Sequence, residues 1–157
     1  MLEGGKTPPI APQTVTIEQR GGRFEPGLVV VPVESTVTFP IFDPIFHNVF
    51  SLSRARSFDL GFYPKDQTKT VKFSRAVVQV YCHIHASMYA AIVVTGSPWF
   101  GKPSPEGIAA FADVPAGHYR VVAWHKVAGA HQTEIEVTET GQSRAKIRVP
   151  IDTEPGM

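Results

Sequence analysis

The chain has 157 residues, with 15 Lys and Arg against 14 Asp and Glu, a formal net charge of +1 that argues against nucleic-acid binding as its main task. This length suits one large β domain or a domain of about 100 residues with a smaller module, and 14 Pro, 13 Gly and Val-rich runs favour many short strands joined by tight turns. No apolar stretch reaches the roughly 18 residues that a membrane-spanning helix needs, and a single cysteine excludes an internal disulfide.

Met1 to Lys6 lacks the apolar core of a secretory signal, so the chain reads either as cytoplasmic or as a mature or shortened form. The first strands follow from period-2 alternation. Val15 and Ile17 alternate with Thr14, Thr16 and Glu18; Leu28 to Val33 is a continuous apolar run; Val37, Phe39 and Ile41 alternate after a turn at Glu34-Ser35. The stretch Phe42-Asp43-Pro44-Ile45-Phe46 should break into a loop, because Pro44 cannot donate to a ladder and restricts Asp43. His47 then opens the next strand.

Between Ser51 and Arg75 stand Arg54, Arg56, Lys65, Lys69, Lys72 and Arg75 against Asp59 and Asp66. Such a face could steer an acidic partner at low ionic strength, or be an ordinary solvated edge.

The segment Tyr81-Cys82-His83-Ile84-His85-Ala86-Ser87-Met88 carries the chemistry. Its cysteine is followed by histidine at +3 and methionine at +6, and with six His and three Met in the chain this pair of spacings rarely arises by chance. Val78, Val80 and Cys82 share a strand face, and Met88, Ala90, Ile92 and Val94 share another, so a five-residue loop, 83–87, connects two inward-pointing sulfur side chains. Thiolate, imidazole and thioether are soft donors that suit copper, and two His, one Cys and a weak axial Met form the blue-copper arrangement. His47 is the candidate second histidine. His83 points the other way by parity and reads as a surface residue, while His118, His125 and His131 lack ligand-like spacing.

The sequence resembles the cupredoxins of amicyanin and plastocyanin type, through Cys82-x-x-His85-x-x-Met88 and the upstream Phe46-His47-Asn48-Val49-Phe50. A nearer resemblance is to the bacterial cupredoxin-like proteins called methylamine utilization proteins, through Cys82-His83-Ile84-His85-Ala86-Ser87-Met88, Pro98-Trp99-Phe100, Pro115-Ala116-Gly117-His118-Tyr119 and Trp124-His125. The resemblance implies an all-β Greek-key sandwich with one type 1 copper, equatorial ligands His47, Cys82 and His85, an axial Met88, and Asn48 tying the two ligand loops together by hydrogen bonds. It also implies a periplasmic or otherwise extracytoplasmic location.

Pro98 to Gly107 has connector composition. The expected division is a cupredoxin domain over 1–97 (core about 14–95), a linker over 98–107 and a small antiparallel β module over 108–157. Four strand-like runs follow the linker: Ile108 to Phe111, Tyr119 to Trp124, Thr133 to Thr138 and Arg144 to Val149. Glu134 and Glu136 alternate with apolar residues, as do Arg144, Lys146 and Arg148, which predicts a hairpin about Thr140-Gly141-Gln142 with acids facing bases. So thin a module should pack on the sandwich or on another subunit, with Trp99, Phe100 and Trp124 as packing residues.

The functional expectation is a non-enzymatic carrier of single electrons between redox partner proteins, with acidic proteins as candidate partners. The alternative is a copper-binding or delivery protein without a reversible redox role. A copper enzyme would need a second metal site, and no His-x-His pair exists beyond His83 and His85.

Overall fold

The computed structural model describes residues 1–151; the end of the module expected over 108–157 lies outside the described residues. Thirteen strands run in order: β1 (Leu2–Gly4), β2 (Thr14–Thr16), β3 (Glu18–Arg20), β4 (Arg23–Glu25), β5 (Leu28–Pro32), β6 (Ser35–Pro40), β7 (His47–Ser53), β8 (Arg56–Tyr63), β9 (Thr68–Phe73), β10 (Val77–Tyr81), β11 (Tyr89–Thr95), β12 (Gly117–His125) and β13 (Gly129–Val137). The described residues contain no helix, and so none long and apolar enough to cross a membrane.

Two compact units divide the chain. The unit over 10–96 holds a five-stranded sheet in the order β5-β11-β10-β7-β8 and a three-stranded sheet in the order β2-β6-β9. The pairings β5 with β11 and β2 with β6 are parallel, and the remaining pairs are antiparallel. The residues read as alternating inward, Ile17, Val37, Phe39, Val78, Val80, Met88 and Ile92, are fully buried and join one cluster with Val31, Val49 and Phe73, each large side chain contributing about 1.5–3 kcal/mol by leaving water. Ala91 and Val93 are buried too, and β11 lies inside its sheet between β5 and β10.

A small hairpin, β3 with β4, turns at Gly21 and Gly22 with φ of 61° and 66°. Two consecutive left-handed residues make the tight turn whose twist matches paired strands, and glycine adopts it without steric cost.

The second unit contains residues 1–9 together with those from 97 onward. Its sheet has the order β1-β12-β13, with β1 aligned antiparallel to Val121, Arg120 and Tyr119. Residues 1–9, read from sequence as part of the 1–97 domain, therefore belong here. Trp99 meets Tyr119 edge-on, with ring centroids 5.8 Å apart, and the Tyr119 hydroxyl donates to Pro115 O at 2.8 Å.

The expected hairpin between 133–138 and 144–149 is not formed. β13 instead pairs with β12 over nine positions, from Gly117↔Val137 to His125↔Gly129. A three-residue connection, Lys126 to Ala128, closes that ladder at little entropic cost, and Gly129, at φ 74°, completes the turn. The run 144–149 is in no strand, nor is 108–111. At the latter a local turn captures the backbone: Ser104 N–H donates to Ile108 O and Gly107 N–H to Ser104 O, each at 2.8 Å.

Candidate metal centre

His47 opens β7, as the loop-breaking Pro44 predicts, and its imidazole is completely buried. Cys82 directly follows β10, on the face shared with the buried Val78 and Val80. The loop after it is short enough to close on itself, with Met88 N–H donating to His85 O at 2.9 Å. That turn places the fully buried Met88 just ahead of β11.

Three of the expected donors meet. One ligand atom each from His47, Cys82 and His85 lies within 4.8 Å of the others. His47 Nδ1 is 3.2 Å from His85 Nδ1, and Cys82 Sγ is 3.7 Å from the same nitrogen. The two rings stand at 67°, with centroids 4.8 Å apart. Cys82 is buried and His85 half-buried, so His85 is the edge of the group that reaches toward solvent. Two imidazoles and a cysteine sulfur make a donor set that fits copper; hard cations would require carboxylate or carbonyl oxygens.

A residue that sequence reasoning passed over organises the group. Asp43 Oδ2 lies 2.8 Å from His47 Nε2. The same carboxylate accepts Gly21 N–H at 2.6 Å on Oδ1 and Gly22 N–H at 2.9 Å on Oδ2. With Nε2–H directed at Asp43, the lone pair of His47 falls on Nδ1, the atom facing Cys82 and His85. A carboxylate behind a ligand histidine fixes its tautomer and orientation and raises its basicity. Burial of Asp43 would push its carboxyl up, but the hydrogen bonds from Gly22, His47 and Gly21 outweigh that effect and hold it below the ordinary carboxylate range. The turn at Gly21 and Gly22 was not read from the sequence, and nothing in the sequence says that Asp43 docks onto it.

Asn48 is fully buried and joins the two ligand segments. Its Oδ1 accepts the backbone N–H of His83 at 2.7 Å, and its Nδ2 donates to Asp59 Oδ1 at 3.1 Å. A register shift between Asn48 and Phe50 in the β7–β8 ladder accompanies this inward placement. Asp59 also accepts Gly61 N–H at 2.8 Å and lies 3.0 Å from His83 Nε2. These contacts, Gly61 N–H first, hold its carboxyl below the usual range.

His83 lies outside the cluster, as parity predicted: its side chain is 46% exposed and its ring stacks on Phe50 at 3.8 Å and 4°. Among the described residues, the C-terminal histidines are not gathered into a cluster with other ligands. His125 Nδ1 accepts Val127 N–H, and His131 Nε2 contacts Ala128 O. Of the basic residues over 51–75, Lys72 pairs with Glu34 at 2.6 Å, and Lys69 donates to Leu60 O while lying over the Tyr63 ring.

Phe42, Ile45, Phe46 and Ile84 are exposed. They belong to the loops flanking His47 and His85.

Among solved structures the chain is similar to amicyanins. A Cu(I) form of a methionine-to-alanine variant matches at a TM-score of 0.50 with 21% identity, over 55% of this chain and 86% of that one. The sandwich has the cupredoxin fold. Two further amicyanin structures, a reduced Cu(I) form at pH 4 of a proline-to-glycine variant and the Cu(I) form of a second methionine-to-alanine variant, match at TM-scores of 0.49 with 21% and 20% identity, covering 55% and 52% of this chain and 86% and 82% of theirs. No family model and no curated protein matches the chain.

Proposed function

We propose that this protein is a type 1 copper protein that carries single electrons between redox partners by outer-sphere transfer, with His47, Cys82 and His85 as equatorial ligands and Met88 as the axial one. The observation that carries the reading is the convergence of two imidazole nitrogens and the only sulfhydryl of the chain within 4.8 Å. Copper supplies a one-electron couple when bound.

The chain's own residues do the rest. Cys82 binds as thiolate, so loading releases a proton and depends on pH. Asp43 and Asn48 pin both ligand segments before any metal arrives, so the donors rearrange little between oxidation states and the barrier to electron transfer stays low. Met88, a soft and weakly held donor, tunes the potential. The half-buried His85, beside the exposed Ile84, offers the short path to solvent, and the apolar residues of the two loops make a docking patch for a redox partner. Exposed Arg54, Arg56, Lys65 and Arg75 favour partners with acidic surfaces. A periplasmic or otherwise extracytoplasmic location accords with this role.

Film voltammetry of the copper-loaded protein tests the proposal. A reversible one-electron wave, shifted by Met88 substitution, is expected of a carrier. Tight Cu(I) binding with no reversible wave would assign the protein to copper delivery instead.

A further inference from the structure

The strand β13 has β12 on one side, and no described residue pairs with its other edge. At nine residues it is a long open edge, which proteins ordinarily shorten, cover or charge. Its side chains alternate strictly: Ala130, Gln132, Glu134 and Glu136 are exposed, while His131, Thr133, Ile135 and Val137 are half-buried.

Six residues on, the run 144–149 has the complementary pattern and no strand partner. Arg144, Lys146 and Arg148 are exposed, and Ile147 and Val149 are half-buried. It contains neither Gly nor Pro, and Pro150 ends it. Laid along β13, it would set its cations among Glu134 and Glu136 and its β-branched residues beside Ile135 and Val137, satisfying both faces of the pleat at once. Within one chain this pairing does not occur. After β13 the backbone turns through contacts of its own, Thr138 N–H to Ser143 Oγ at 3.3 Å and Thr138 Oγ1–H to Thr140 O at 2.9 Å, and 144–149 joins no strand.

We infer that two copies of this chain associate by exchange of this segment, each adding its 144–149 run to the outer edge of the other's β13. The arrangement is self-complementary and closes as a two-fold dimer. It is β-augmentation, with main-chain hydrogen bonds supplying affinity and side-chain charge supplying choice of partner. Direct pairing of one β13 with the other is disfavoured, since it would bring Glu134 and Glu136 against the same residues of the second copy. The inference is independent of the metal centre.

Light scattering on the eluting full chain tests it through a charge exchange. Wild-type protein should run as a dimer whose dissociation constant rises with salt. E134K/E136K and R144E/K146E/R148E should each run as monomers, dissociating at least about tenfold more readily, because several cross-strand attractions become repulsions. Mixing these two variants should restore a heterodimer, since each then presents the edge that suits the other's segment. The second variant alters only exposed side chains outside every strand, so it carries the test if the first does not fold. A wild-type monomer at all concentrations, a dimer indifferent to both variants, or a mixture that stays monomeric would overturn the inference, the last by pointing to pairing within one chain.

Discussion

Replacing Asp43 probes whether the loop before β7 is part of the metal centre. Its two oxygens take three donors, Gly21 N–H on Oδ1 and Gly22 N–H and His47 Nε2–H on Oδ2, at 2.6–2.9 Å. Asparagine retains one acceptor oxygen. Placed at Oδ2 it keeps Gly22 and His47 and turns its amide toward Gly21, so two charge-assisted bonds become neutral ones at about 1 kcal/mol each, a loss of about 2 kcal/mol. Alanine removes all three and strands the Nε2–H of an imidazole with no exposed surface, which adds a desolvation penalty for a total of about 3–4 kcal/mol. Because the folded carboxyl lies below its ordinary range, this stabilisation is present above the unfolded carboxylate pKa and lost as pH falls through the folded value. Urea unfolding of the copper-free protein at neutral pH measures the losses. Nitrogen NMR of His47 reads the tautomer, Nε2–H in wild type and mixed in the alanine variant. With copper bound, both variants should show a raised potential, since a negative charge that favours the oxidised site has gone. An alanine variant within about 0.5 kcal/mol of wild type, or an unchanged tautomer, would refute the reasoning.

Asn48→Ala should cost about 1–3 kcal/mol, because it leaves the His83 N–H without its 2.7 Å acceptor and frees the Asp59 contact; chemical denaturation checks this, and a loss confined to copper affinity would contradict the clamp. Met88→Gln should lower the reduction potential by supplying a harder axial donor, as voltammetry would read; an unchanged potential would remove Met88 from the ligand set. Burial pushes the Tyr63 hydroxyl up to about 12. Its folded pKa is raised, so its contribution is complete below about pH 10 and lost as pH climbs toward 12, by about 1 kcal/mol at pH 11. Tyr63→Phe should show no such alkaline slope in urea midpoints, though it forfeits the bonds to Gln19 and Phe39 O.

Several sandwich strands and the Cys82-His85 pair were legible because they rest on local pattern, whereas His47 entered as a candidate through the family resemblance and is brought in by strand pairing. Period-2 alternation located β2, β6 and β10, Pro44 marked the loop before His47, and the spacing from Cys82 to Met88 fits only a tight connection. What escaped depends on where the chain goes next in space. Asp43 and Asp59 are ordinary loop and strand-edge carboxylates until the β3–β4 turn and His83 arrive beside them. In the second unit, charge alternation in 133–138 and 144–149 predicted a hairpin, but the short Lys126 to Ala128 connection gave β12 first claim on β13. The pairing of β1 with β12 joins residues more than a hundred positions apart, beyond the reach of any local pattern.

The most direct test of the account is the visible and EPR spectrum of the purified protein after one equivalent of Cu(II), recorded beside Cys82→Ser. The account predicts an intense thiolate-to-copper band and narrow copper hyperfine splitting in the wild type, both absent from the variant. A pale wild-type protein with ordinary tetragonal copper signals, the same as those of the variant, would show that Cys82 does not bind Cu(II) and would contradict the type 1 assignment.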